Sequence, residues 1–436
     1  MTGELKNRIE QIKNGMVPVG YQTQKNLGIA PNKWKCGELC DVLKNEQRPV
    51  PKPNSEYWRL GLRSHARGTF HELVKDPETV AMDELFEVRQ NDLIVNITFA
   101  WEHAIALANK DDEGKLVSHR FPTYVFKKSN CAKYYECVVT QKRFKEMLGN
   151  ISPGGAGRNR VMSRPGFLKL PCYIPPIEEQ EKIAEVIAHC EKVIELKKQL
   201  LSEERKQKKW LLQNLLNPDS GVRLEGFEDE WKEKTMGELF EFGSSLSASR
   251  DQLGESGICY LHYGDIHSNT SGVVDVLCDY DSIPKLSTES VSSKLLLDDG
   301  DVVFVDASED YEGASKYIVV KNENAIPFIA GLHTIPAKSI GNELIIDYKK
   351  FCFQSYNVKK QIAFFVSGMK VFGLSKTNIA KIILKYPSTD EQAAIANILN
   401  TVDRKIELLD QELELWQQKK KSLMQLLLTG IVRVNV

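Results

Sequence analysis

The residues best suited to catalysis lie near the middle of the chain, where Pro218-Asp219 is followed by Glu230-Trp231-Lys232. Two carboxylates and a lysine at such a spacing can hold a metal ion and activate water, which is the chemistry of a metal-dependent nuclease. The surrounding stretch is rich in acidic residues, and no β-branched run is present to position these side chains. A nuclease built on Asp219, Glu230 and Lys232 is therefore kept as an alternative interpretation.

Other catalytic and cofactor motifs are absent from the sequence. There is no Gly-rich phosphate loop and no GxGxxG. Cys36 and Cys40 are four residues apart but lack the second Cys or His pair that a zinc site needs. We expect the nine cysteines to be reduced thiols of a cytoplasmic protein. No run reaches the roughly 18 apolar residues of a membrane span, and no catalytic, metal-binding or cofactor-binding residue is predicted.

Two basic stretches without any acidic residue favour binding to a phosphate backbone. Residues 147–177 and 348–388 contain no Asp or Glu, and both hold glycines that let backbone amides approach a phosphate. A solvated surface is the alternative for a single stretch, but the repetition favours DNA. The candidate DNA-binding residues here are Arg158, Arg160, Arg164, Lys359, Lys360, Lys370 and Lys376.

A third basic group consists of Arg59, Arg63 and Arg67 beside Tyr57 and Trp58. Arginine is the preferred side chain for bidentate contact with guanine edges. Arg63 and Arg67 are four residues apart and would share one face of a helix; a surface loop without this role is the alternative. The matching stretch, residues 260–265, has no Arg, as expected for two readers of different sequences.

Bulk charge does not favour nucleic acid, since the formal net charge is −1. Residues 1–170 carry 27 basic against 19 acidic side chains, whereas residues 224–386 carry 16 against 24. DNA binding must therefore rest on local patches.

The elements that would position these residues occur twice. Glu179-Gln180 recurs as Glu391-Gln392, an offset of 212 that holds without a gap for more than fifty residues. Upstream the match is looser: Trp34 with Gly37-Glu38-Leu39 resembles Trp231 with Gly237-Glu238-Leu239. The chain is therefore an internal duplication, in which one part of each repeat has a fixed length.

The fixed part of each repeat is predicted to be a long helix with a narrow apolar seam. Apolar residues alternate spacings of three and four, the pattern of a coiled coil, and Asp390 is expected to cap the second helix. Each helix needs a partner, and the other copy supplies one in an antiparallel pair. Core helices of a larger domain are the alternative. The seam includes Ile183, Ile187, Ile194 and Leu201 in the first copy, and Ile395, Leu399, Val402, Ile406, Leu409 and Leu413 in the second.

Length and composition complete the architecture. A chain of 436 residues with 42% apolar and 27% charged side chains is expected to form two or three globular domains. We predict an α+β fold of two tandem α/β domains separated by two long helices in an antiparallel coiled coil, with pseudo-twofold repetition. The predicted boundaries are 1–173 for the first domain with an N-terminal helical segment, 174–218 for the central helix, 219–386 for the second domain and 387–436 for the last helix and tail.

These features together resemble the specificity subunits of type I restriction–modification systems. The resemblance rests on the duplicated Pro-x-x-x-Glu-Gln-x-x-Ile-Ala before each helix and covers essentially the whole chain. It implies that the globular units are target recognition domains, each reading half of a split double-stranded DNA site. It also implies that the helices space those halves and dock two methyltransferase subunits, which carry S-adenosylmethionine, and that motor-nuclease restriction subunits join them. The chain itself would not be catalytic, and Glu179, Gln180, Glu391 and Gln392 would mark the docking regions.

A non-enzymatic alternative is a scaffold whose coiled coil joins two protein-binding domains. DNA binding that weakens steeply with salt separates the two interpretations, because only the DNA-binding protein releases counterions.

Overall fold

The computed structural model describes residues 3–154, 160–288, 291–308, 313, 316–366 and 372–435. The chain forms two compact units, which are called unit 1 (residues 1–197 and 412–436) and unit 2 (residues 198–411). Each unit therefore contains one globular part and a portion of both long helices. These units differ from the boundaries predicted from the sequence, which assign each long helix to a separate segment.

Unit 1 combines two larger sheets, two pairs of strands and short helices. The larger sheets have the strand orders β10-β9-β12-β4 and β5-β8-β11-β6-β7, and the pairs are β1-β2 and β13-β3. Its elements are α1 (Gly3–Lys13), β1 (Tyr21–Gln24), β2 (Gly28–Pro31), β3 (Lys35–Glu38), α2 (Leu39–Val42), β4 (Leu43–Asn45), β5 (Pro49–Pro51), β6 (Tyr57–Leu62), β7 (Thr69–Val74), β8 (Glu84–Glu87), β9 (Leu93–Val95), β10 (Ile105–Leu107), β11 (Leu116–Val117), β12 (Thr123–Phe126), α3 (Ala132–Val139), α4 (Lys142–Asn150), α5 (Arg164–Leu168), β13 (Pro171–Ile174) and the first part of α6 (Ile177–Leu215).

Unit 2 repeats this plan. Its two larger sheets have the orders β15-β24-β20-β22-β18 and β16-β19-β17-β23, and β14-β26 and β21-β25 form pairs. Its elements are β14 (Lys232–Thr235), α7 (Met236–Leu239), β15 (Phe240–Phe242), β16 (Leu253–Gly254), β17 (Ile258–Leu261), α8 (Tyr263–Ser268), β18 (Val273–Asp275), β19 (Lys285–Leu286), β20 (Val302–Val305), β21 (Ala307–Ser308), β22 (Tyr317–Lys321), β23 (Phe328–Ala330), β24 (Thr334–Ser339), α9 (Ile346–Cys352), α10 (Tyr356–Phe365), β25 (Phe372–Gly373), α11 (Lys376–Ala380), β26 (Ile383–Tyr386) and part of α12 (Thr389–Leu428).

The central strands, β9 of unit 1 and β20 of unit 2, are buried along their whole length. All three residues of β9 and all four of β20 are buried, because both faces of these strands are covered.

The short helices α2 and α7 are equivalent in the two units, but the sequence match predicted between them is shifted. Trp34 precedes β3 and α2 as Trp231 precedes β14 and α7, so the tryptophans are equivalent. That alignment places Asp41 opposite Glu238, and each carboxylate accepts the backbone N–H that opens its helix, at 3.0 and 2.8 Å. The two Gly-Glu-Leu triplets are therefore three residues out of register, and their match was wrong.

The long helices have the predicted seam. Seam positions are buried or half-buried along both helices, and their outer faces are exposed. In unit 1 Glu191 binds Lys420 at 2.6 Å, and Lys197 binds Glu412 at 2.5 Å. As the residue number rises along α6, the number of its partner falls, so α6 and α12 are antiparallel.

The same pairing continues in unit 2. Lys208 binds Asp403 at 2.5 Å, and Glu204 binds Lys405 at 2.6 Å. These polar seam residues interrupt the apolar pattern, yet each faces an opposite charge. They therefore favour this register, because a shift would bury a charge without a partner.

The start of α12 differs from the prediction by two residues. The helix begins at Thr389, and the hydroxyl of Ser388 accepts the Glu391 N–H at 3.5 Å. Ser388 is thus the capping residue, and Asp390 lies in the first turn, where its charge stabilises the helix dipole.

Candidate nucleic-acid interface

In unit 1 a rigid loop, residues 96–103, follows the central strand β9. The Asn96 carboxamide accepts hydrogen bonds from the Thr98 N–H at 3.1 Å and the Thr98 hydroxyl at 2.7 Å, which fixes the start of the loop. At its other end His103 has a φ of 69°, and its Nε2 lies 2.7 Å from the Val139 carbonyl. Burial lowers the pKa of His103.

This loop holds the tip of the β6–β7 hairpin. The His65 and Ala66 N–H groups donate to the carbonyls of Glu102 and His103, each at 2.8 Å. Both donors have positive φ, 63° and 50°, a conformation that costs energy in residues other than glycine. The hydrogen bonds to the loop offset this cost, and the Ser64 hydroxyl adds a bond of 2.7 Å to the Glu102 carboxylate.

The hairpin places the first group of predicted arginines, and not on a helix. Arg63 lies at the end of β6 with its guanidinium 5.4 Å from the centre of the Phe70 ring, whereas Arg67 is exposed in the turn. The prediction that they share a helix face is wrong, because the Arg63 N–H pairs with the Gly68 carbonyl across a hairpin. Arg59 is in β6 and binds Glu72 at 2.7 Å.

The acid-free stretch of unit 1 meets the same loop. The Met162 N–H donates to the Ile97 carbonyl at 2.8 Å, and the Arg160 guanidinium lies 5.5 Å from the centre of the Trp101 ring. Arg164, at the start of α5, donates to the His119 carbonyl. Arg158 lies outside the described residues. Two arginine groups that are about 100 residues apart in sequence therefore converge on residues 96–103.

Unit 2 has an equivalent junction after β20. The Asp306 N–H donates to the His333 carbonyl at 3.2 Å, and the Leu374 N–H donates to the Asp306 carbonyl at 2.8 Å. β21 then pairs with β25, which belongs to the second acid-free stretch. The segment after the central strand thus contacts the acid-free stretch in both units.

The side chains at this junction in unit 2 are different. His333 Nδ1 lies 3.3 Å from Asp306 Oδ1, and the His333 ring packs edge-on against Tyr263 at 5.5 Å. Tyr263 also contacts the rings of His262 and His267, at 4.4 and 6.0 Å. A tyrosine–histidine cluster therefore stands where unit 1 has arginines.

The predicted lysines of unit 2 do not form one group. Lys376 opens α11 and donates to the Ser244 hydroxyl at 3.3 Å. Lys359 and Lys360 are exposed on α10, and Lys370 lies outside the described residues. The role of these lysines in DNA binding stays a prediction, as does that of the arginines in unit 1.

The Glu-Gln motif is buried in both units and attaches each long helix to its globular part. Gln180 accepts the Cys131 N–H and donates to the Pro175 carbonyl, both at 2.9 Å. Gln392 accepts the Ile345 N–H at 3.0 Å and donates to the carbonyls of Pro387 and Glu343. These glutamines fix the position of the helix start.

The glutamates of the motif bind arginines that the sequence did not reveal. Glu179 accepts the Trp34 indole N–H at 2.8 Å and binds Arg433. Glu391 binds Arg223 at 2.8 Å. With 4% and 1% exposure, neither glutamate is on the surface. Docking of partners at the helix starts stays a prediction, and any such contact requires the exposed neighbours of these side chains.

The proposed nuclease residues are placed on the surface around β14. Asp219 lies in a 3₁₀ turn with its carboxylate 3.8 Å from Lys385, and Glu230 and Lys232 are exposed. Among the described residues, no three His, Cys, Asp or Glu side chains come close enough to hold a metal ion. Within the same part of the chain, no helix has the length and apolar character needed to span a membrane.

Comparison with known proteins agrees with this architecture. Residues 228–415 match the family model of the type I restriction modification DNA specificity domain. The chain is 27% identical over 291 residues to the type I restriction enzyme MjaVIII specificity subunit of Methanocaldococcus jannaschii, a match that covers 62% of this chain and only 63% of that protein. It is 26% identical over 446 residues to the putative type I restriction enzyme MjaX specificity subunit of the same organism. That match covers 94% of this chain and 96% of that protein.

The fold is also that of a solved structure, the type I restriction–modification system S subunit from M. genitalium. The TM-score is 0.51 at 15% identity, and the alignment covers 95% of this chain and 98% of that one. Sequence matches and fold thus agree with the duplicated globular units and paired helices found above. Over nearly its whole length the chain is thus similar to a type I restriction enzyme specificity subunit, and residues 228–415 match the DNA specificity domain of such systems.

Proposed function

We propose that each unit reads one half of a bipartite double-stranded DNA site through the junction that follows its central strand. The observation that carries this proposal is the equivalence of the two junctions, which share a backbone arrangement but present arginines in unit 1 and a tyrosine–histidine cluster in unit 2. Two domains of one fold that recognise different DNA sequences need the same backbone arrangement and different side chains, because base edges are distinguished by side-chain hydrogen bonds.

In this proposal α6 and α12 set the gap between the half-sites and dock two methyltransferase subunits. The opposite charges along the seam support a fixed register. S-adenosylmethionine would be held by the methyltransferase, and restriction subunits would complete the nuclease. The chain contributes recognition to this complex and no catalytic group.

The test is a map of methylated adenines in the host genome with and without this gene. We expect a split motif, with two short halves and a fixed gap, to disappear on deletion. An unchanged methylation pattern in a host that expresses the methyltransferase would refute the proposal.

The length of the gap tests the role of the helices. Insertion of seven residues into both α6 and α12 should lengthen the gap in the methylated motif, since seven residues extend a helix by about 10 Å. If the motif keeps its original gap while both half-sites remain, the helices do not set the spacing.

A further inference from the structure

Unit 2 contains a cavity of about 540 Å³ whose wall is rich in lysine. The lysines come from four different elements or loops, so no single charged helix face accounts for them. α6 and α12 contribute to one side, and α8, α9 and α10 lie around the others. The charged residues of the wall are Lys208, Lys316, Lys350, Lys359 and Asp403.

Positive charge is in excess in this cavity. Lys208 and Lys350 share the carboxylate of Asp403, at 2.5 and 3.0 Å. Lys316 donates to the backbone carbonyl of His267 at 3.1 Å, which is a neutral acceptor. Among the described wall residues, Asp403 carries the single carboxylate against four ammonium groups.

This excess contrasts with the rest of unit 2. Residues 224–386 carry 16 basic and 24 acidic side chains, so a positive cavity here is a local arrangement and not a consequence of overall charge. Clustered ammonium groups repel one another in a partly desolvated wall, and an anion between them would relieve that repulsion.

The corresponding place in unit 1 is balanced. The Lys208–Asp403 pair has its repeat equivalent in Lys420–Glu191, at the same offset of 212. On the neighbouring helix α3, Lys133 binds Glu136 at 2.9 Å, so these two pairs place two charges of each sign here. The repeated fold therefore does not require the lysine excess, which is a property of unit 2.

We propose that the lysine-lined cavity of unit 2 binds phosphate groups. Lysine is a common phosphate ligand as a compact, strongly hydrated charge. The volume lies within the range of small-ligand pockets, so it has room for a diphosphate or a nucleotide as well as for a phosphate of the DNA backbone. This site goes beyond the proposed reading of bases.

Pyrophosphate titration of the full chain by calorimetry, at low ionic strength and without DNA, tests the site. Lys350→Gln should weaken binding roughly tenfold, since hydrogen bonds to charged groups contribute on that scale. Lys359→Gln, at an exposed position where folding is not at stake, should weaken it less. Asp403→Asn should strengthen binding, because it removes the competing carboxylate. Lys294→Gln, at an exposed lysine elsewhere in unit 2, is the control and should have no effect.

Competition with duplex DNA then identifies the source of the phosphate. If duplex DNA displaces pyrophosphate, the cavity takes a backbone phosphate, and Lys350→Gln should lower the salt dependence of DNA binding by about one ion. If it does not, the ligand is a free phosphate compound. The proposal is overturned if pyrophosphate does not bind, or if Lys350→Gln and Asp403→Asn change its affinity in the same direction. Neither result depends on sequence-specific reading of DNA.

Discussion

The two units share a backbone plan but stabilise the same buried aspartate in different ways. In both units the aspartate accepts the backbone N–H of the residue three positions earlier, Arg89 in unit 1, but in unit 1 Asp92, just before β9, also accepts two hydrogen bonds from Arg48, at 2.6 and 3.2 Å. In unit 2 Asp301, just before β20, accepts the backbone N–H groups of Asp298 and Ser339.

The nearby cation of unit 2, Lys349, contacts neutral groups. Its ammonium donates to the Gly300 carbonyl and the Ser339 hydroxyl, both at 2.8 Å. Burial raises the pKa of Asp301 and lowers the pKa of Lys349. The two repeats thus share one backbone hydrogen bond of this turn and differ in the other groups that bind the aspartate. The exposed junctions likewise share a backbone arrangement and differ in their side chains.

The largest expected effect comes from breaking the ion pair of unit 1. Arg48→Met leaves Asp92 buried without its cation and should cost about 3–5 kcal/mol. Lys349→Met in unit 2 should cost only about 1–2 kcal/mol, because it removes hydrogen bonds to neutral groups. Hydrogen exchange of the β9 and β20 amides measures each unit separately. Equal losses of stability in the two variants would contradict the difference between an ion pair in unit 1 and hydrogen bonds to neutral groups in unit 2.

The second comparison concerns the stability that Gln180 and Gln392 contribute at the starts of α6 and α12. Gln392→Ala removes three buried hydrogen bonds and Gln180→Ala removes two. At roughly 1 kcal/mol for each bond, we expect the larger loss of stability in unit 2. Thermal unfolding of the two variants checks the order, with Gln207→Ala on the exposed face of α6 as control. The reverse order would show that packing, not hydrogen bonding, dominates at these sites.

The junctions differ in what they should contribute to DNA selection. Arg63→Ala should reduce discrimination at one base of a single half-site by roughly 1–3 kcal/mol, because it removes an exposed arginine suited to a guanine edge. Arg89→Ala, at an exposed arginine of unit 1 outside the junction, is the control. Binding of the methyltransferase complex to sites altered in either half measures the effect. A uniform loss on all sequences would identify Arg63 as a phosphate contact.

The smallest expected effect concerns acid stability in unit 2. Burial lowers the pKa of His262, which caps α8 by accepting the Gly264 N–H at 3.1 Å. The unfolded chain therefore binds a proton more readily, and stability is lost as the pH falls below about 6.5. His262→Asn keeps a capping acceptor and removes the titration.

Unfolding at pH 7.5 and 5.5 tests this expectation. The variant should match the natural protein at the higher pH and lose less stability at the lower one. The residual acid sensitivity should come in part from His103 of unit 1, whose pKa burial lowers in the same direction. An identical pH dependence of variant and natural protein would exclude His262 as a contributor.

The regular parts of the fold followed from the sequence, because their periodicity is tied directly to burial. The seam of α6 and α12 was predicted position by position, and the predicted residues are buried or half-buried. The junctions were not predicted as single sites, since the contact of residues 96–103 with both arginine groups depends on how loops pack. The spacing of Arg63 and Arg67 suits a helix and a hairpin equally, and tertiary pairing decided between them.

The ion pairs of the Glu-Gln motif also could not be predicted from the sequence. Arg223 follows α6 and Arg433 follows α12, but the two arginines are 210 residues apart, whereas the repeat offset is 212. An alignment of the repeats therefore does not match them. Their role appears only when the helices are paired antiparallel, because each arginine then reaches the glutamate of the other copy.

This exchange of partners has an evolutionary consequence. Glu179 of the first repeat binds Arg433 from the end of the second, and Glu391 of the second binds Arg223 from the end of the first. A gene for one repeat would already encode both members of the contact, and two identical products would satisfy it by reciprocal association. Fusion of two such genes would keep every pairing while freeing each half to acquire its own exposed residues, which is the divergence that the two junctions now display.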